Sequence, residues 1–136
     1  MRLGRTVPSL PVRDVAAAVE HWTSRLGFAP VHVEPGAAVL RRDDAEVHLW
    51  HAGDAGWRSR PDLADGPVWS GAESFLAGTA SCRVEVDDVD ALHAELFATG
   101  TLHPGDPGRP QATGWGTREA HALDADGNLV TFFARG

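Results

Sequence analysis

Histidine and carboxylate side chains are this chain's main means of doing chemistry, and one trio, His48, Glu119 and His121, is of the type that holds a catalytic metal. Two imidazoles and a carboxylate suit Fe or Zn, with positions left open for a substrate. Glu119 and His121 alternate along one stretch, whereas His48 stands in the other half of the chain. A histidine alone on a strand face more often hydrogen-bonds than ligates. The single cysteine, Cys82, excludes an internal disulfide and lies in the apolar run Ser81-Cys-Arg-Val84, where a thiol packs. No Ser-His-Asp or Cys-His set follows from spacing, and no glycine-rich phosphate loop follows a strand. These residues point to binding more than to turnover.

The elements that must position them are written twice. Leu10-Pro-Val-Arg-Asp14-Val15 recurs as Val84-Glu-Val-Asp-Asp88-Val89, 74 residues later. In each copy an alternating stretch reaches an aspartate placed to cap a helix, and the helix stops at a glycine, Gly27 or Gly100. Val15, Ala18, Trp22 and Leu26 mark the first apolar stripe; Val89, Leu92 and Leu96 mark the second. Such repetition implies two similar halves around a shared core or cleft.

The pattern predicts strands over 6–12, 30–34, 37–42 and 45–51 with a helix over 14–26. Turns fall at Pro35-Gly36 and Asp43-Asp44. The second half restarts with a strand over 80–86 and a helix over 88–99. A weak strand at 101–103 leads into a Pro/Gly loop from His103 to Gly114. A hairpin of 117–123 and 128–134 then turns across Asp124-Ala-Asp-Gly127-Asn. Residues 52–79, with Trp57, Trp69 and Phe75, show no period and read as a long loop. Its two tryptophans are either lids or anchors. The fold class is α+β: two βαβββ modules, about 6–51 and 80–134, in a single domain of 136 residues.

Alternation sorts the strand faces. Leu10, Val12, Val47, Leu49, Cys82, Val84, Val86, Ala120, Ala122, Val130 and Phe132 fit the side covered by helices. The opposite side carries Ser9, Glu46, His48, Trp50, Ser81, Arg83, Glu85, Glu119, His121, Thr131 and Phe133. Aromatics, histidines and carboxylates mixed on one face suit a ligand concavity.

Net charge is −7, and the basic residues are all arginine. Phosphate backbones would be repelled, which argues against nucleic acid. A cationic small ligand fits the charge, as does plain solubility. No apolar run approaches the ~20 residues of a membrane helix, so a cytoplasmic location is expected.

The doubled module, the opening Val7-Pro-Ser-Leu-Pro-Val-Arg-Asp14, the helix end Arg25-Leu-Gly-Phe28 and the closing Asp124-Ala-Asp-Gly-Asn128 resemble the glyoxalase/bleomycin-resistance/extradiol-dioxygenase superfamily. Pro8 and Trp115-Gly-Thr-Arg-Glu119 are similar to its bleomycin-binding resistance proteins. The resemblance implies a homodimer whose first strand crosses to the partner at a hinge, Pro8. It implies sequestration, without turnover, of a bleomycin, tallysomycin or zorbamycin type of glycopeptide in clefts at the dimer interface. No cofactor is implied, and any metal at the site would arrive with the bound antibiotic.

The implied binding residues are His32, Glu34, His48, Trp50, Trp115, Gly116, Glu119 and His121. Glu46 and Glu85 are further acidic candidates for a cationic tail. Trp115 corresponds to a stacking tryptophan, and the alternative for it is a cap on the core edge. Where some relatives place an aromatic, Gly36-Ala37-Ala38 is small. The four metal positions of the superfamily's enzymes fall near Val7, His48, Ser81 and Thr131. The competing readings are a metal-dependent lyase, dioxygenase or thiol transferase of that superfamily, and a carrier or regulator for another flat ligand.

Overall fold

Asp14 and Asp88 begin the two helices by the same means. Each stands outside the helical region and accepts a hydrogen bond on its carboxylate from the amide three residues on, Ala17 at 3.0 Å and Ala91 at 2.9 Å. Gly27 and Gly100 end them in the left-handed region, φ 73° and 72°, which a side chain would resist. In this computed structural model, which describes residues 1–52 and 76–136, the helices are α1 (Val15–Leu26) and α2 (Val89–Thr99). Trp57, Trp69, Phe75 and nearly all of the expected long loop lie outside the described residues.

The strands are β1 (Ser9–Val12), β2 (Ala29–Glu34), β3 (Ala37–Arg42), β4 (Ala45–His51), β5 (Ser81–Glu85), β6 (Gln111–Ala112), β7 (Thr117–Leu123) and β8 (Leu129–Arg135). They form two mixed four-stranded sheets, ordered β1-β4-β3-β2 and β5-β8-β7-β6. The βαβββ module is thus made twice, and β1 and β5 each pair in parallel with the last strand of their own module.

Three expectations shift. The first strand begins at Ser9 rather than residue 6, with the Pro8 carbonyl accepting from the His48 amide at 2.9 Å. Residues 101–103 give a single bridge, Leu102 to Ala122, instead of a strand. One edge strand of the second sheet is β6, inside the stretch expected to be loop. Pro11 within β1 is tolerated because β1 lies at a sheet edge, where one side of the backbone needs no partner strand.

One core joins the halves. Leu10, Val12, Leu40, Val47 and Leu49 from the first sheet meet Cys82, Ala120, Ala122, Val130 and Phe132 from the second, with Trp22 and Leu96 from the helices. Trp22 is fully buried and sets its ring edge-on to Phe28, centroids 5.0 Å apart. Burial of these apolar faces leaves the opposite face of each sheet outside the core, and among the described residues the two modules meet through that core rather than across the outer faces. No helix among the described residues is long and apolar enough to cross a membrane.

Candidate functional site

The strand register assembles the first-module face row by row. Ser9, His48, Val39 and His32 stand side by side across β1, β4, β3 and β2; Pro11, Trp50, Ala37 and Glu34 form the next row. His32, Glu34, His48 and Trp50 therefore share one face. A register shift in β2 between Pro30 and His32 makes this possible. Pro30 opposes the buried Leu40, and simple alternation would turn His32 to that same side; the bulge re-aims His32 and Glu34 outward.

Electrostatics on this face centre on Glu46. Its carboxylate accepts from Arg41 Nε at 2.6 Å, meets His48 Nε2 at 3.0 Å and lies 3.5 Å from Arg5. The Arg41 guanidinium, and next the His48 ring, hold it below the usual carboxylate range. Glu34 is the more available acid: it is exposed, and its described partner is the exposed His32 ring at 3.2 Å.

On the second module, Arg83, Thr131 and His121 form one row, and Glu85, Phe133 and Glu119 the next. Glu119 is 4% exposed and is already engaged. It accepts from both terminal nitrogens of Arg83, one at 3.3 Å, and from the Thr117 hydroxyl at 2.8 Å. The Arg83 guanidinium keeps its carboxyl below the ordinary value against the opposing cost of burial, and the Thr117 hydroxyl adds to this. Glu119 thus holds Arg83 in place, and its oxygens are not free for a ligand's cation. His121 shares a 2.9 Å hydrogen bond with the Thr131 hydroxyl. Arg83 is the residue that sequence reasoning put on this face without a role; its alternation with Ser81 and Glu85 was the available signal.

Trp115 stands at the turn between β6 and β7 with 71% of its surface exposed, so it does not cap the core edge. Gly116 follows at φ 85°. Thr113 closes the turn, its hydroxyl 2.8 Å from that of Thr117 and accepting from the Trp115 amide at 3.4 Å. A rigid turn that holds a large aromatic ring in solvent is suited to stacking.

The superfamily's metal positions do not fit a divalent ion here. Val7 is a hydrocarbon, Ser81 and Thr131 are neutral hydroxyls, and the Thr131 hydroxyl is bonded to His121; His48 alone is a strong donor. The alternative trio is split between sheets, His48 on the first and Glu119 and His121 on the second. Among the described residues no three His, Cys, Asp or Glu side chains gather as a metal group. A cavity of about 490 Å³ lies elsewhere, at the seam between modules beside Phe28, Val84 and Phe132.

A family model described as "Glyoxalase/Bleomycin resistance protein/Dioxygenase superfamily" matches residues 2–132. The chain belongs to this superfamily. Among its members, a protein of Geobacillus stearothermophilus named "Bleomycin resistance protein" is 44% identical over 129 residues, 95% of each chain. A protein of the same name in Staphylococcus aureus matches equally well. The superfamily fold is shared with the bleomycin-binding protein of bleomycin-producing Streptomyces verticillus, solved with copper(II)-bleomycin. There the TM-score is 0.69 at 26% identity, covering 100% of this chain and 98% of that one.

Proposed function

We propose that this protein binds a bleomycin-family glycopeptide and withholds it from its target without transforming it. The likeness to resistance proteins across 95% of both chains carries the reading. Such a ligand presents flat rings, a cationic tail and many hydrogen-bonding groups. Trp115 and Trp50 suit the rings, Glu34 the tail, and His32, His48, Gly116 and His121 the polar remainder. The poor donor set at Val7, Ser81 and Thr131 supports binding over metal-assisted turnover, so any metal would travel with the antibiotic.

Two copies complete the site in this proposal. Among the described residues one chain leaves its two concave faces unapposed, so a second copy is needed to enclose a large ligand. β1 pairs with its own β4 from Ser9 onward and Arg5 lies against Glu46 of the same chain, so an exchange of the first strand hinged at Pro8, which fixes φ and lacks an amide, would have to release both contacts. The cytoplasm, where the antibiotic would threaten its target, is the place of action.

Calorimetric titration with metal-free and copper-loaded glycopeptide tests the reading, together with sedimentation and mass spectrometry of the recovered drug. The expected result is tight binding of an unaltered drug, with one site per concave cleft of a dimer. No binding would refute sequestration, a chemically altered drug would favour an enzyme, and a monomer that still binds would remove the shared cleft.

A further inference from the structure

The guanidinium of Arg83 lies over the Phe133 ring, its central carbon 4.6 Å from the ring centroid. Two independent constraints fix it there. The register puts Arg83 one row away from Phe133 and Glu119, so the side chain reaches diagonally across the ring. Glu119, buried beneath and itself tied to Thr117, takes both terminal nitrogens. The ring of Phe133 is therefore covered by Arg83, with the exposed Arg135 also 5.6 Å from its centroid, and what this face offers beside Glu119 is the Arg83 guanidinium. Its side chain is still 48% exposed.

A guanidinium bound in this way is held between the Phe133 ring and a carboxylate. Its outer face is planar and weakly hydrated, a surface on which a flat ring stacks well. The side-chain entropy of Arg83 is already spent in the free protein, so a ligand has little ordering left to do. Lysine at this position would keep the charge and a partner for Glu119 but would have no plane to offer.

We infer that Arg83 is a specificity-determining residue of the concave site: its outer face forms a stacking platform for a planar heteroaromatic ring, selecting ligands that carry one. The inference rests on the proposed binding of a glycopeptide that carries flat rings, and it adds a contact distinct from Trp115.

The test uses the full-length protein, metal-free bleomycin as probe, and the variants Arg83→Lys and Phe133→Leu. The second variant removes the ring under the guanidinium and leaves the Arg83–Glu119 pair. Each should weaken binding roughly 3- to 30-fold, the range expected for a desolvated stacking cation. At saturating protein, the quenching of the fluorescence of the drug's flat rings should also be smaller than in wild type. Melting temperature controls for structure, since a merely weakened contact to Glu119 would lower it while leaving the quenching of bound drug at its wild-type size. Wild-type affinity in Arg83→Lys, or weaker binding with undiminished quenching at saturation, would overturn the platform while leaving sequestration standing. Failure of the wild-type protein to bind at all would instead remove the functional reading itself.

Discussion

Asn128 donates its side-chain amide to the carbonyl of Pro11 at 2.8 Å, joining the last hairpin of the second module to the first strand of the first. The residue is fully buried. Its side-chain oxygen accepts from the Ala80 amide at 3.1 Å, and its amide nitrogen also reaches Asp124 at 2.9 Å. Arg13 lies alongside, pairing with Asp126 at 3.2 Å. The closing Asp124–Asn128 turn is therefore a stitch between modules as well as a chain reversal.

Replacing Asn128 with alanine should cost more than a surface change. The Ala80 amide and the Pro11 carbonyl would lose their partners in a buried place, at about 1–3 kcal/mol for each group left unsatisfied. The expected outcome for Asn128→Ala is a loss of about 2–5 kcal/mol in denaturant unfolding. A loss under about 1 kcal/mol would show that water replaces the amide and that the stitch is weak.

Cys82 gives a second measurable consequence. Burial in the core, followed by the field of Asp124, pushes its thiol up to about 11. At pH 8 the thiolate, which is the reactive form, is then almost absent. A disulfide reagent should label the native protein slowly at pH 8 and label it fully and quickly in denaturant. Rapid native labelling would mean that the second sheet opens.

Acid should loosen the contact between modules. Glu95 on α2 accepts from Arg42 Nη2 on β3 at 2.8 Å, and that guanidinium lowers its pKa from 4.5 against the cost of partial burial. Because the folded value lies below the unfolded one, the stabilisation is complete above pH 4.5 and is lost as pH falls through the folded value. Melting temperature should hold level from neutrality down to about pH 5 and then fall. Glu95→Gln should show a shallower fall; identical acid profiles for variant and wild type would mean that other carboxylates govern the transition.

Much of this architecture was readable because local signals agreed with it. β3, β4 and β7 occupy the stretches that alternation picked out, and the capped helices with their apolar stripes were visible in the sequence. β6 was not: it has two residues inside a stretch broken by Pro104, Gly105, Pro107, Gly108 and Pro110, too short to show a period. His93 also escaped the helical stripe. It is buried on α2 and holds the following loop through Asp106 at 2.9 Å, a long-range pairing that periodicity does not encode. The same limit hid the diagonal reach of Arg83 to Glu119. Alternation can place both residues on one face, but not their contact. The bulge in β2 set a further limit, since it reverses the side that a simple count from Pro30 gives to His32.

Trp115 decides between the stacking role and the structural one with a single variant. Its indole is 71% exposed, so Trp115→Ala removes little buried surface and should leave melting temperature within a few degrees of wild type. Ligand affinity should respond differently. Stacking contributes ~0.5–1.5 kcal/mol beyond area burial, and the lost apolar contact adds ~1–2 kcal/mol. Together these predict a roughly 10- to 300-fold weaker dissociation constant for the glycopeptide. Melting temperature and calorimetric affinity measured on the same preparation separate the two roles. An unchanged dissociation constant would exclude Trp115 from the site and leave Trp50 and the Arg83–Phe133 pair as its described stacking surfaces.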